Sequence, residues 1–326
     1  MSTVPSVSPV PLAELRFMGQ GLHRPECVLC GRDGTLYVSD WRGGITVIAP
    51  NGGQRSILAR ENPHRVQPNG IALDRDGSFL LANLGESGGV WRLGRDGSLE
   101  PFCLEVRGEP LPPCNFVLVD PDGAVWITVS TRRRPRALGY RSDVADGFIV
   151  RVDGAGPRIV ADRLGYANEC QLDSSRRWLY VNETFARRLS RFPVEDDGRL
   201  GKRETVATFG SGTYPDGLAF DAEGGIWVTS IVSNRVIRVA ADGEQSIILE
   251  DVDPVKLEEV EAAFRAGRLG RPHLDQSLGS RLHNISSLAF GGHDLRTAHL
   301  GCLLDERIAT FRTPIAGRPL PHWDWT

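Results

Sequence analysis

Residues 69–83, NGIALDRDGSFLLAN, contain a polar residue, a short apolar run, an Asp-Gly turn and a second apolar run. An Asp side chain can bond the backbone of its own turn, and Gly accepts the positive φ that such a turn requires. Two further runs follow at residues 88–93 and 98–103, with another Asp-Gly turn between them. The unit therefore predicts four short antiparallel strands, which make up one blade of a β-propeller.

The pattern of residues 69–83 starts six times along the chain, and each copy opens on a polar residue. We call these opening residues the slot residues: Glu26, Asn69, Asn115, Asn168, Asp216 and Ser286. A repeat of this length predicts an array of similar units. If six units close into a ring, the slot residues meet at one end of a central channel, which we call the top. The sequence thus predicts an all-β fold, a six-bladed β-propeller with four-stranded antiparallel blades.

The sixth copy lacks a fourth strand of its own, and residues 14–18 are predicted to supply it. That pairing closes the ring and removes free sheet edges. Residues 1–13 are interpreted as an N-terminal tail and residues 14–326 as a single propeller domain. Long gaps between slot residues locate insertions at 131–146 and 250–283. Since each innermost strand runs down from its slot residue, both insertions are expected on the top face.

The second insertion is predicted to form a short helix before the last blade. Asp253 can cap it, Pro254 suits its first turn, and Val260, Ala263 and Phe264 form an apolar stripe. The pattern leaves open whether this segment is a lid over the channel, an oligomer contact or neither.

The composition describes an ordinary globular protein, with 40% hydrophobic and 24% charged residues and a net charge of −3. That charge gives no reason to expect nucleic acid or an anionic membrane as a partner. No run approaches the ~18 apolar residues of a membrane helix, and the N-terminus lacks the features of a secretory signal. We expect a cytoplasmic protein whose six cysteines are buried, reduced thiols. The sequence does not indicate the oligomeric state.

Four slot residues, Glu26, Asn115, Asn168 and Asp216, offer only oxygen donors to the channel axis. Two carboxylates and two amides suit one hard divalent cation, with Ca²⁺ expected first and Mg²⁺, Mn²⁺ or Zn²⁺ as alternatives. Asn69 and Ser286 complete the ring and are predicted to contact substrate or water. The competing interpretation is a water-filled channel that is lined by polar residues and binds no ion.

Several segments together resemble the senescence marker protein (regucalcin) and gluconolactonase family of six-bladed propellers. They are Arg24-Pro25-Glu26, Asn115 ahead of Val119-Asp120-Pro121-Asp122-Gly123, Ala167-Asn168, Tyr214-Pro215-Asp216-Gly217-Leu218, and the closing Pro319-Leu320-Pro321-His322-Trp323. The resemblance covers nearly the whole chain from about Glu14 onward.

This resemblance implies a divalent metal held by Glu26, Asn168 and Asp216, with Asn115 as a ligand or substrate contact. It also implies hydrolysis of a lactone or related ester, with Asp216 as the candidate general base. A carboxylate bound to a cation is a poor base. The sequence therefore leaves open whether Asp216 or a metal-bound hydroxide starts the reaction.

The substrate is expected to be a small molecule, and two departures from the family pattern bear on its identity. Sugar-lactone members carry an arginine two residues before the Asn of blade three, where this chain has Pro113. The loop after that blade's second strand is basic, which favours an anionic substrate contacted by Arg132 and Arg133. His283 lies three residues before Ser286 and is also predicted to reach the substrate.

Two alternatives to lactone hydrolysis remain open from the sequence. The same metal platform can serve another carbonyl reaction or an addition–elimination reaction. A propeller of this kind can also bind a partner on its rim without catalysis.

Overall fold

Each of the six repeats forms one four-stranded antiparallel sheet in the computed structural model, which describes residues 8–325. In chain order the strands are β1 (Arg16–Met18); β2 (Val28–Cys30), β3 (Leu36–Asp40), β4 (Gly44–Ile48) and β5 (Gln54–Leu58) in blade 1; β6 (Pro68–Leu73), β7 (Phe79–Asn83), β8 (Val90–Leu93) and β9 (Leu99–Cys103) in blade 2; β10 (Glu105–Val106) and β11 (Glu109–Pro110) in a separate hairpin; β12 (Phe116–Val119), β13 (Val125–Val129), β14 (Gly147–Asp153) and β15 (Gly156–Leu164) in blade 3; β16 (Ala167–Leu172), β17 (Trp178–Glu183), β18 (Arg188–Pro193) and β19 (Glu204–Thr208) in blade 4; β20 (Thr213–Phe220), β21 (Ile226–Val232), β22 (Arg235–Val239) and β23 (Gln245–Leu249) in blade 5; and β24 (Ile285–Gly291), β25 (Thr297–Cys302) and β26 (Ile308–Arg312) in blade 6.

The ring closes as predicted. Strand β1 pairs antiparallel with β26, with Arg16 opposite Thr310 and Met18 opposite Ile308, so the N-terminal strand completes blade 6. The innermost strands contact one another in the cyclic order β2, β6, β12, β16, β20, β24 and back to β2. The predicted six-bladed β-propeller is therefore confirmed.

A buried aspartate organises the turn after the innermost strand in blades 3 and 5. Asp221 accepts the amides of Glu223 and Gly225 through one oxygen. Through the other it accepts the indole N–H of Trp227 at 3.0 Å and the guanidinium of Arg238 at 2.7 Å. Asp120 holds its own turn and the indole of blade 3 in the same way. These bonds explain why Asp recurs at this point of the repeat.

The second insertion contains the predicted helix, α1 (Pro254–Arg265), followed by the single turn α2 (Arg271–Leu274). The Asp253 side chain accepts the amides of Val255 and Lys256, which confirms the predicted cap. Three short 3-10 helices complete the secondary structure, at Leu12–Glu14, Arg136–Gly139 and Pro321–Asp324.

An aromatic cluster joins both insertions to the top of blades 4 and 5. Its rings are Tyr140, Tyr166, Phe185, Tyr214 and Phe264, with centroids 4.7–6.0 Å apart. Tyr140 comes from the first insertion and Phe264 from α1. The insertions therefore pack on each other and on the propeller.

The two chain ends lie against the propeller wherever the structure describes them. Within the predicted tail, Val10 donates its amide to the carbonyl of Ile248 at 2.7 Å, while residues 1–7 lie outside the described part. The C-terminal segment runs past the lower ends of the innermost strands, where the amide of Arg318 bonds the carbonyl of Phe220. His322 and Trp323 are buried there.

All six cysteines are buried and unpaired in the structure. Burial raises the pKa of the Cys30 thiol to about 12, so a thiolate is disfavoured there. Within residues 8–325 no helix has the length and apolar character needed to cross a membrane. The cytoplasmic location stays a prediction.

Two buried histidines are expected to make the fold sensitive to mild acid. Burial lowers the pKa of both His299 and His322 to about 4. The unfolded chain protonates these rings near pH 6.5, so between pH 6.5 and 4 it binds more protons than the folded chain. Each histidine should therefore cost about 3 kcal/mol of unfolding free energy across that window. Urea denaturation at pH 7.5, 5.5 and 4.5 measures this loss.

Because carboxylates also titrate below pH 5, the comparison with His299→Asn and His322→Asn isolates the histidine contribution. Each variant should show a shallower decline of stability between pH 6.5 and 4 than the wild type. Equal slopes in wild type and variants would contradict the assignment.

Candidate active site

A β-bulge re-aims the backbone at four of the six slot residues. The register slips between Pro68 and Ile71 in β6, and the same slip recurs in β16, β20 and β24. A bulge inserts extra residues and redirects a side chain. The slot residues inside these bulges are Asn69, Asn168, Asp216 and Ser286. In the other two blades, Glu26 and Asn115 stand just before β2 and β12, where the strand has not yet begun.

A glycine next to the slot makes the close approach of neighbouring blades possible in blade 5. A Cβ on Gly217 would clash with the carbonyl oxygen of Ser286 and with the hydroxyl of Thr229. The Gly217 amide instead bonds that hydroxyl at 2.8 Å. The Asp-Gly pair of the motif thus places a carboxylate at the axis and the next blade directly beside it.

Five of the six slot residues line a single small cavity at the top of the channel, with about 40 Å³ accessible to the centres of water molecules: Glu26, Asn69, Asn115, Asn168 and Asp216. Ser286 is not among its lining residues, because its hydroxyl donates to the carbonyl of Glu26 at 2.8 Å and links blade 6 to blade 1. The convergence predicted from the repeat therefore occurs for the carboxylates and the amides.

Asn168 and Asn69 use their side-chain nitrogen in hydrogen bonds to the protein, which leaves their oxygen free. Thr184 gives its hydroxyl proton to the carbonyl of Pro215 at 2.8 Å, so it can only accept from the NH₂ group of Asn168 at 3.1 Å. The NH₂ group of Asn69 likewise donates to the carbonyl of Asn115 at 3.0 Å. The Oδ1 atoms of Asn69, Asn115 and Asn168 are buried with no hydrogen-bond partner. Such orphaned acceptors are costly, so each oxygen is suited to a cation or a donor.

The carboxylates of the cavity repel one another. Burial, and then the charges of Glu26 and Glu169, raise the pKa of Asp216 well above its ordinary value. Burial and Glu26 likewise raise the pKa of Glu169, whose Oε2 accepts the amide of Leu218 at 3.0 Å. Of these three carboxylates only Glu26 forms an ion pair, with Arg24 at 3.1 Å from its Oε2, while the charges of Arg24 and Arg136 partly offset the rise in the pKa of Asp216. A bound cation would therefore favour the ionised form of these carboxylates.

Arginines and tyrosines form the remaining polar wall of the cavity. Arg136 and Tyr140 come from the first insertion, Arg271 from α2, and Tyr166 from the strand entering blade 4. Arg24 also lines it and stacks on Trp41 with its guanidinium carbon 4.3 Å from the ring centroid. A metal-type oxygen cluster thus lies beneath a basic and aromatic rim.

Residues 25–250 match the family described as the SMP-30/Gluconolactonase/LRE-like region, which is more than half of the chain. The chain belongs to this family. It is 28% identical over 283 residues to the 6-deoxy-6-sulfogluconolactonase of Pseudomonas putida, covering 85% of this chain and 82% of that protein. The resemblance drawn from the slot motifs is confirmed.

Two solved structures share the propeller of this SMP-30/gluconolactonase family member. One is the calcium-binding protein regucalcin of Agrobacterium tumefaciens strain C58, with a TM-score of 0.68, 17% identity and coverage of 98% of this chain and 99% of that one. The other is a gluconolactonase of Xanthomonas campestris, with a TM-score of 0.68, 18% identity and coverage of 95% of each chain. At these identities the likeness shows the fold alone.

Three residues predicted to contact substrate lie outside the cavity of this family member. Arg132 bonds both oxygens of Asp162, at 2.9 and 3.2 Å, and Arg133 approaches Asp146 at 3.5 Å. His283 bonds Ser277 through Nδ1 and points Nε2 toward Asp305 at 4.0 Å. None of the three lines the cavity that gathers the slot residues.

Sequence reasoning missed Arg24, Arg136, Arg271 and Glu169. Arg24 and Glu169 each had a signal, because both lie within two residues of a slot residue, and Arg24 belongs to the Arg24-Pro25-Glu26 motif that resembles the family. Arg136 belongs to the basic loop that was noticed, but at the end where a 3-10 helix begins. Arg271 had no signal, since its position depends on how the second insertion folds back.

The donor set fits a hard divalent cation. Within residues 8–325 no group of three His, Cys, Asp or Glu side chains is arranged to hold a metal, so an ion requires the amide oxygens as well. Those oxygens are buried and unpartnered, and they share a cavity with Glu26 and Asp216. Carboxylate and amide oxygens are the ligands of Ca²⁺ and Mg²⁺.

Proposed function

We propose that this protein is a metal-dependent hydrolase of a lactone or a related ester. The observation that carries the proposal is the set of three buried amide oxygens without partners, which share one cavity with two carboxylates. Membership of the family and the relative named as a sulfogluconolactonase support hydrolysis of a small lactone. The calcium-binding regucalcin with the same fold supports a divalent ion.

Glu26, Asn168 and Asp216 would hold the ion, with Asn115 as a further ligand or a substrate contact. Ca²⁺ is the expected ion, and Mg²⁺, Mn²⁺ and Zn²⁺ are the alternatives. When bound, the cation would supply Lewis-acid polarisation of the lactone carbonyl. Asn69 also turns its oxygen to the cavity and would accept a hydrogen bond from a substrate hydroxyl.

Asp216 is the proposed general base. Without a bound cation, burial beside other carboxylates raises its pKa. A bound cation would lower that pKa, so Asp216 would have to leave the ion to accept the proton. Asp216 takes a proton from the water that adds to the lactone carbonyl. The ring C–O bond then breaks, and the proton passes to the alkoxide oxygen, which leaves an open-chain hydroxy acid.

Metal removal is expected to lower both stability and activity. At an ion concentration of 100 times Kd, binding to the folded state adds about 2.7 kcal/mol to the free energy of unfolding. Thermal melting with EDTA and with added Ca²⁺, Mg²⁺, Mn²⁺ or Zn²⁺ measures this shift. The rate at which the protein hydrolyses a panel of lactones and esters, measured by release of acid, should fall in EDTA. It should recover when the stabilising ion is added.

Asn168→Ala serves as the matched variant, because it removes one amide oxygen without adding charge. Its ion-dependent shift in melting temperature should be smaller than that of the wild type. The proposal fails if no ion shifts the melting temperature and the panel is hydrolysed equally with and without EDTA.

A further inference from the structure

Among the arginines that line the cavity, Arg136 is the one without an ion pair in the described part of the chain, although its charge acts on Asp216 from a longer distance. Within residues 8–325 no Asp or Glu lies within ion-pair distance of it, and its one hydrogen bond in this part of the chain runs to the Ser130 hydroxyl at 3.1 Å. Its Nε is buried and has no acceptor. Its guanidinium carbon lies 5.5 Å from the centroid of Tyr166, another residue of the cavity wall. Arg136 therefore presents unused donors beside the slot residues.

The other two cavity arginines are already paired. Arg24 bonds Glu26 and stacks on Trp41, and only 10% of its side chain is exposed. Arg271 bonds Asp275, one turn further along the chain. These partners neutralise both arginines and fix their donors, so Arg136 is the cation available to a bound molecule.

The charge of the cavity favours an anion once the proposed ion is bound. In their ionised forms Glu26 and Asp216 supply two negative charges, and Arg24 and Arg136 supply two positive charges. The third arginine of the lining, Arg271, is balanced by Asp275. A divalent cation changes this balance from neutral to an excess of two positive charges. The excess is still one positive charge if Glu169 beneath the cavity is ionised. A neutral sugar lactone would leave that charge uncompensated, whereas an anionic substrate balances it.

We infer that Arg136 is the specificity-determining residue of this site, and that it binds an acidic group, carboxylate, sulfonate or phosphate, carried by the substrate away from its lactone carbonyl. The inference rests on the proposed function. A guanidinium offers two parallel N–H donors to two oxygens of such a group, a geometry that a neutral hydroxyl cannot match. Arg132 and Arg133 do not serve this role, because Asp162 and Asp146 engage them outside the cavity.

Two lactones that differ at one carbon test this inference. D-Glucaro-1,4-lactone carries a carboxylate where D-glucono-1,4-lactone carries a neutral CH₂OH group. We expect the wild type to favour the acidic lactone in kcat/KM by roughly 10- to 100-fold, mainly through KM. In Arg136→Met that ratio should fall toward one, and Arg136→Lys should restore part of it. Arg134→Met, on the same loop, is the control and should keep the wild-type ratio.

A binding measurement separates this inference from the proposed activity. Both lactones are titrated calorimetrically into Asp216→Asn with and without Arg136→Met, a background chosen to avoid turnover. Tighter binding of the acidic lactone that disappears with Arg136→Met supports the inference. Equal affinities in the Asp216→Asn background, or a ratio that survives Arg136→Met, would overturn it. If the wild type hydrolyses no lactone, the proposed function fails while the calorimetric ratio still decides the role of Arg136.

Discussion

Asp216→Asn should lower kcat for lactone hydrolysis by roughly 10²- to 10⁴-fold, the range expected for loss of a general base. Asn keeps the size of the side chain and one oxygen donor, so the bulge and the cavity should persist. What it removes is a buried carboxylate whose pKa is raised by burial and by Glu26 and Glu169. The rate loss should therefore appear in a protein that keeps its fold.

The same substitution should stabilise the metal-free protein near neutral pH. A carboxyl group with a raised folded-state pKa favours the folded state when protonated, and that contribution is lost as the pH rises from the unfolded pKa through the folded one. Metal-free Asp216→Asn lacks this penalty and should melt above metal-free wild type at pH 7.5. With the ion bound, the order should reverse or narrow, because the wild type gains more from the cation.

Asp242→Asn is the matched control, since this exposed residue of blade 5 caps only its own turn, at the amide of Glu244. It should leave both rate and melting temperature near those of the wild type. An Asp216→Asn variant with wild-type kcat would show that another group takes the proton from water.

The fold could be predicted because its signals are local and repeated. The four predicted strands of the second copy match β6, β7, β8 and β9 to within two residues. The closing strand and the cap at Asp253 were equally readable, since each follows from neighbouring residues. Strand alternation and turn chemistry act over a few residues, and six copies of one pattern leave little room for another topology.

The cavity could be predicted only in part, because its walls have different origins. The slot residues follow from the repeat, and five of them meet as expected. Arg136 and Arg271 come from insertions with no internal period, where side-chain direction depends on tertiary packing. Ser286 shows a further limit, since its backbone lies at an equivalent bulge but its short side chain reaches the neighbouring strand first.

Glu261→Ala should remove about 3–5 kcal/mol from the free energy of unfolding, the cost of breaking a buried ion pair on one side. Glu261 lies on α1 with only 2% of its side chain exposed. It accepts bonds from Arg187 at 2.5 Å, from Tyr214 at 2.7 Å and from the amide of Gly212 at 3.0 Å. Burial opposes its charge, yet these partners hold its pKa below the ordinary value. The substitution leaves the partly buried Arg187 without its carboxylate.

Loss of Glu261 should also affect the active site, through helix α1 and the aromatic cluster above the cavity. The α1 helix carries Phe264 into the aromatic cluster with Tyr140 and Tyr166, and the two tyrosines line the cavity. A loosened helix should therefore raise KM more than it lowers kcat, because Glu261 touches none of the slot residues. Urea denaturation and steady-state kinetics on the same preparations measure both effects.

Glu258→Ala is the control for Glu261→Ala, because it changes helix propensity and surface charge without removing the buried Glu261–Arg187 contact. Glu258 lies on the same helix, is 65% exposed and pairs only with the exposed Arg265, so its loss should cost less than about 1 kcal/mol. Glu261→Gln keeps the volume and some hydrogen bonds, and it should lie between Glu258→Ala and Glu261→Ala in stability. If Glu261→Ala costs no more than Glu258→Ala, the insertion does not depend on this contact. In that case apolar packing alone holds helix α1 on the propeller, and KM should stay unchanged.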